Sequence, residues 1–144
     1  MKALVIHGPN LNLLGTRELA VYGDATLAEV DVEIEKAASE LDITVEIHQT
    51  AREGAIIEIL HGGIESNVDG ALLNPAAYAH TSRAIADAIR AVPFPVIEVH
   101  LSNIHARDEW RRTSVTAEAA RGIVAGFGAH SYVAALHALR GIVQ

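Results

Sequence analysis

Glu98 and His100 stand two residues apart, and Arg17 precedes Tyr22 on a polar stretch. Side chains of these types move protons. An imidazole gives or takes one near neutral pH, a carboxylate holds the ring, and a guanidinium favours a tyrosinate. Covalent routes are poorly supplied. The chain has no cysteine, which excludes thiolate nucleophiles, disulfides and iron–sulfur clusters. Its only lysines are Lys2, at the start of an apolar run, and Lys36, on a polar face; neither suits a Schiff base. There is no G-x-S-x-G elbow, no G-x-x-x-x-G-K-[ST] and no G-x-G-x-x-G. The eight histidines show no H-E-x-x-H or comparable ligand spacing, so no metal is expected. What remains is non-covalent acid–base work by tyrosine, histidine, arginine, asparagine and carboxylates.

Those side chains need a scaffold. Residues 3–7, 44–48, 70–73, 96–99 and 123–125 read as strands, and residues 26–41, 54–64, 81–91 and 132–139 as helices. The first helix carries Leu27, Val30, Ile34, Ala37, Ala38 and Leu41 on one stripe, with Thr26 and Glu29 set as a capping box. Strands alternating with helices imply βαβ units. The pattern predicts a flavodoxin-like doubly wound α/β fold, a five-stranded parallel sheet with helices on both faces. No repeat or linker divides it, so residues 1–144 read as one domain.

Ligands bind such folds beyond the carboxyl ends of the strands. Asn10, Asn12, Arg17 and Tyr22 follow the first strand. Asn74, Tyr78, His80 and Ser82 follow the third; His100, Ser102, Arg107 and Arg111 follow the fourth. Each has a plainer reading. The asparagines can bond their own turn backbone; Arg17 can be solvated and Tyr22 can anchor a loop. His100 can be structural, Ser82 can cap a helix, and Asp87 on that helix can face water. Arg111 and Arg112 can form an exposed basic turn. Glu98 and His100 share one side of a strand by period-two geometry, and a buried glutamate needs a partner, which favours function there.

Composition sets the class. A length of 144 residues with 50% hydrophobic content suits one core, and 4% aromatics leave it to Ala, Val, Ile and Leu. A net charge of −7 argues against nucleic-acid or anionic-membrane partners. A local arginine cluster can still draw a small anionic substrate. No apolar run approaches the roughly 20 residues of a membrane span. The first run ends too early for a signal peptide, and the lack of cysteine fits a cytoplasmic setting.

Residues 8–23 resemble the type II dehydroquinase signature G-P-N-L-N-x-L-G-x-R-E-P-x-x-Y-G. Residues 74–82 are similar to its N-P-[GA]-[AG]-x-T-H-T-S, and residues 98–114 to its E-V-H-x-S-N-x-x-x-R-E-x-F-R-x-x-S. On these motifs, in order and with familiar spacing, the chain is identified as a member of that family. The resemblance implies a lyase that dehydrates 3-dehydroquinate through an enolate, with no cofactor, metal or Schiff base. It implies Tyr22 as base, Arg17 beside it, His100 as general acid, Glu98 orienting His100, and Asn10 binding the enolate through a water. It implies substrate contacts from Asn74, His80, Leu101, Ser102 and Arg111, with Arg111 on the substrate carboxylate. Asp87 matches an acid reaching the adjoining subunit's site in a homododecamer, a tetramer of trimers.

Four departures stand out. Leu19 replaces the usual proline, which leaves the loop bearing Arg17 and Tyr22 freer. Thr50-Ala51 stands where Ser-Asn is common, Ala79 replaces threonine, and Trp110 replaces phenylalanine. A flavin-binding module on the same fold would need a hydroxyl-rich phosphate cradle after the first strand, and none is there. A catalytically dead relative would lack Tyr22, Arg17 or His100, and all three are present.

Overall fold

The computed structural model describes residues 1–144. The strands are β1 (Lys2–His7), β2 (Thr44–Gln49), β3 (Gly70–Asn74), β4 (Val96–His100) and β5 (Gly122–Ala125). They form one sheet in the order β2-β1-β3-β4-β5, with every neighbouring pair parallel. That is the expected flavodoxin-like arrangement. The helices are α1 (Leu19–Tyr22), α2 (Leu27–Glu40), α3 (Glu53–Glu65), α4 (Arg83–Ala91) and α5 (His130–Val143). The single-turn α1 has no counterpart in the apolar pattern, because it buries none of its residues.

Local chemistry sets the helix starts. Thr26 accepts the Glu29 backbone N–H at 3.2 Å, as the capping box predicts. Ser82 accepts the Ile85 N–H at 3.0 Å, so capping is its role and α4 begins one residue later. The first residue of α3 has no side-chain cap before it, and Thr50 instead accepts the Arg52 N–H at 3.2 Å.

The sheet divides the core by strand parity. Ala3, Val5, Leu72, Ile97 and Val99 face α2 and α5, meeting Ile34, Tyr132 and Leu136. Leu4, Ile6, Ala71, Leu73 and Val96 face α3 and α4, meeting Ile56, Leu60, Ile85 and Ile89. Burial on both faces is why the central strands read as continuous apolar runs. The same parity carries over to polar residues at the strand ends. His7 and Asn74 fall on the α2/α5 side, while Glu98 and His100 fall on the α3/α4 side.

The order in which strands are added reverses between β1 and β3, and the loops leaving their carboxyl ends touch there. Gly8 donates its N–H to the Asn74 carbonyl at 2.8 Å. A Cβ on Gly8 would lie 2.8 Å from that oxygen and from the Pro75 carbonyl group, all backbone atoms that cannot swing away. We expect Gly8→Ala to destabilise the fold by about 1–3 kcal/mol through overpacking. Urea denaturation checks this; an unchanged midpoint would mean the two loops can separate freely.

Candidate functional site

A cleft of about 530 Å³, including its open mouth, lies beyond the carboxyl ends of β1, β3 and β4. Asn10, Arg17, Tyr22, Asn74, His80, His100, Leu101, Ser102 and Arg111 all line it, so three separate strand ends bring nine expected residues together. Arg107, Pro9, Leu11 and Ile104 line it as well. Glu98 lies beneath the cleft wall. Asp87 is elsewhere: its side chain is 84% exposed on α4 and meets only Arg90, at 3.5 Å. Asn12 and Arg112 are exposed and do not line the cleft.

One wall is rigid. Glu98 is fully buried, and its carboxylate accepts three hydrogen bonds. His100 Nε2 donates to Oε1 at 2.7 Å, Ser114 Oγ donates to the same oxygen at 2.6 Å, and Thr116 Oγ1 donates to Oε2. A desolvated carboxylate needs donors of this kind. With Nε2 engaged, the Nδ1 atom of His100 has no protein partner and is left for a ligand. Ser114 and Thr116 come from the segment before β5. Ser114 closes the third motif, which gave it no role, and nothing in the sequence ties Thr116 to Glu98.

His80 packs against this wall, its ring 6.5 Å from that of His100 and nearly parallel to it. Its Nδ1 donates to the Thr113 carbonyl at 2.8 Å, and Trp110 covers it edge-on at 5.1 Å. Trp110, the departure from phenylalanine, thus shelters the His80 ring. Burial holds the His80 imidazole below the ordinary histidine range; the Thr113 hydrogen bond opposes this, and the facing His100 and Arg111 add to it.

The other wall is lighter and more exposed. Tyr22 is half-buried at the end of α1. Arg17 stacks over its ring, 4.7 Å from the centroid, and sends Nη2 to Glu18 at 2.7 Å. The group at the phenol oxygen is Arg107, whose Nη1 donates to it at 2.7 Å and to Ser102 Oγ at 3.3 Å. Arg107 also lies 3.6 Å from Glu18. Sequence reading placed Arg107 among the polar groups after the fourth strand but gave it no role; the only signal was its place inside the third motif. The Arg17 and Arg107 hydrogen bond and charges hold the Glu18 carboxyl below its usual range, the Arg17 bond contributing most.

Asn10 sits at the cleft mouth in the left-handed region, with φ 68°, and its side chain caps nothing. Its amide is therefore free, and the plainer reading of a backbone-bonded turn does not hold for it. Arg111 flanks the mouth, stacked 4.1 Å over Trp110 and 3.4 Å from Asp108. No group of three or more His, Asp or Glu side chains is arranged to hold a metal ion. No helix is long and apolar enough to cross a membrane. The arrangement can remove a proton at one wall, deliver one at the other, and bind an anion between three arginines.

Comparison with known proteins gives a consistent result. Residues 1–140 match the family profile described as dehydroquinase class II. The chain is 52% identical over 139 residues to a 3-dehydroquinate dehydratase of Thermoanaerobacter pseudethanolicus, covering 96% of this chain and 93% of that protein. It is 51% identical over 143 residues to a 3-dehydroquinate dehydratase of Caldicellulosiruptor bescii, covering 99% of each. The crystal structure of type II dehydroquinase from Butyrivibrio crossotus superposes with a TM-score of 0.95 at 41% identity, covering 96% of this chain and 97% of that one.

The depressed His80 has a consequence for stability. Its folded state binds a proton less readily than the unfolded chain does, so stability is lost as pH falls through the ordinary histidine range. His80→Asn keeps an amide N–H near Nδ1 but cannot titrate. Wild type should therefore lose more stability than His80→Asn between about pH 7.5 and pH 5.5 in urea denaturation. Equal losses would mean that the ring titrates normally.

Proposed function

The chain belongs to the class II dehydroquinase family, and from that premise we propose that it dehydrates 3-dehydroquinate to 3-dehydroshikimate by anti elimination, with Tyr22 as base and His100 as general acid. The observation that carries the reading is one cleft with a guanidinium-held phenol on one side and a carboxylate-held imidazole on the other. The same reading takes residues 1–144 as one catalytic domain.

The reaction breaks a C–H bond beside a ketone and expels a hydroxyl. A free phenol is a poor base at neutral pH. Arg107 donates a charge-assisted hydrogen bond to the Tyr22 oxygen, and Arg17 lies across its ring. Both set positive charge against the group that takes the proton. Arg17 acts through the ring face, Arg107 through the oxygen itself. As the proton leaves carbon, negative charge grows on the ketone oxygen. Asn10, with its unengaged amide at the cleft mouth, suits that oxygen through an ordered water. Across the cleft, His100 serves as proton donor to the departing hydroxyl through Nδ1, and Glu98 holds Nε2. The hydroxyl leaves as water and the electron pair forms the new double bond.

Binding follows from the remaining lining. Arg111 offers a planar fork to the substrate carboxylate, with the Leu101–Ser102 turn beside it. Asn74 and His80 contact substrate hydroxyls. Each step has a side chain for it, so no amine nucleophile, cofactor or metal is needed. Asp87, exposed and far from this cleft, fits a role at a neighbouring subunit's site in a dodecamer.

The assay is the ultraviolet absorbance of the conjugated product formed from 3-dehydroquinate. Tyr22→Phe should lower kcat by about 10³-fold with KM little changed, and Arg107→Gln by about 10²-fold. Near-normal turnover by Tyr22→Phe would mean another base. Borohydride added during turnover should leave the protein's mass unchanged in mass spectrometry. A trapped adduct would establish a covalent route.

A further inference from the structure

A glutamate that orients an imidazole must itself be oriented. The terminal torsion of its side chain has only a broad preference, so a carboxylate held at one oxygen can still pivot. Glu98 is held at both. His100 Nε2 and Ser114 Oγ share Oε1, at 2.7 and 2.6 Å, and Thr116 Oγ1 takes Oε2. The residue is 0% exposed, so bulk water reaches neither oxygen.

The surroundings set the direction of each hydroxyl. A hydroxyl has one proton to give and two lone pairs. The Ala117 N–H donates to Ser114 Oγ at 3.0 Å, which occupies a lone pair and leaves the proton for Glu98. The Ala79 carbonyl is a more distant acceptor for that proton, at 3.4 Å. Thr116 is fully buried, and its Oγ1 meets the Glu98 carboxylate and, at 3.2 Å, Ser114 Oγ. Ser114 gives its proton to Oε1, and Thr116 gives its own to Oε2. The backbone pins both residues. Val115 donates its N–H to the Ala79 carbonyl at 2.7 Å, and the Thr116 carbonyl accepts the Ala119 and Ala120 N–H groups at 3.0 and 3.2 Å. The two hydroxyls thus stand on a segment tied to the loop after β3, beside His80.

We propose that Ser114 and Thr116 are positioning residues for proton donation by His100: their hydroxyls fix the plane of the Glu98 carboxylate and, through it, the imidazole that faces the cleft. This rests on the dehydration reading above. A purely structural role and a positioning role part company at Thr116. Packing is kept by valine, which fills the same space, and is harmed by serine, which leaves a methyl-sized gap. Orientation is kept by serine, which retains the donor, and is lost with valine.

Steady-state kinetics with 3-dehydroquinate, expressed per folded protein from circular dichroism, test this. Thr116→Val should lower kcat about tenfold with KM within about twofold, because His100 gives its proton only in the transition state. Thr116→Ser should keep kcat within about threefold of wild type. The ratio of kcat in water to kcat in heavy water should rise in Thr116→Val, since proton donation then limits turnover; a smaller folded fraction leaves that ratio unchanged. A Thr116→Val kcat within twofold of wild type, a Thr116→Ser kcat at or below that of Thr116→Val, or a fall in kcat with no rise in the isotope ratio would overturn the proposal. If Thr116→Val does not fold, the half-buried Ser114 decides. Ser114→Ala should lower kcat about fivefold at unchanged KM and raise the same ratio. Failure of either effect overturns the proposal. A wild-type protein that leaves 3-dehydroquinate unchanged would instead refute the dehydration reading itself.

Discussion

A carboxylate with no exposure to water must be satisfied by the protein, and Glu98 is such a group. Its three hydrogen bonds come from His100 two residues along the same strand and from Ser114 and Thr116 before β5. That requirement ties β4 to the segment leading into the edge strand. It also fixes which nitrogen of His100 faces inward and which faces the cleft. The second histidine, His80, is held against the first by the Thr113 carbonyl of the same segment. The rigid half of the site is thus the outcome of satisfying one buried charge.

The opposite wall is held more lightly. Tyr22 sits on a single helical turn that buries none of its residues, and the guanidinium groups around it share an exposed carboxylate, Glu18. The histidine side is built into the sheet, and the tyrosine side rides on the surface. A ligand can enter from the lighter side while His100 keeps its orientation. Leu19, at the first position of that turn, stands where proline is well tolerated and would stiffen the approach.

Charge follows the same local logic. The chain carries a net −7, yet Arg17, Arg107 and Arg111 converge on the cleft. A surface negative overall discourages polyanions, while a small carboxylate meets a concentrated positive field. All three of these arginines also lie over aromatic rings, which holds their forks in place without consuming all of their donors.

Much of this was legible in the sequence. The alternation of apolar runs and helical stripes determined the five strands and four longer helices, because burial on both faces leaves a clear period. The motifs after the first, third and fourth strands indicated nine of the cleft residues, because a doubly wound sheet gathers its strand ends on one side. Tertiary packing alone decided the partners. Arg107 reaches the Tyr22 hydroxyl across 85 residues, and His7 meets Tyr132 across 125. Ser114 and Thr116 find Glu98 only once β5 is in place. Such contacts depend on where whole elements dock, and no local spacing encodes the distance between side chains that approach from different elements.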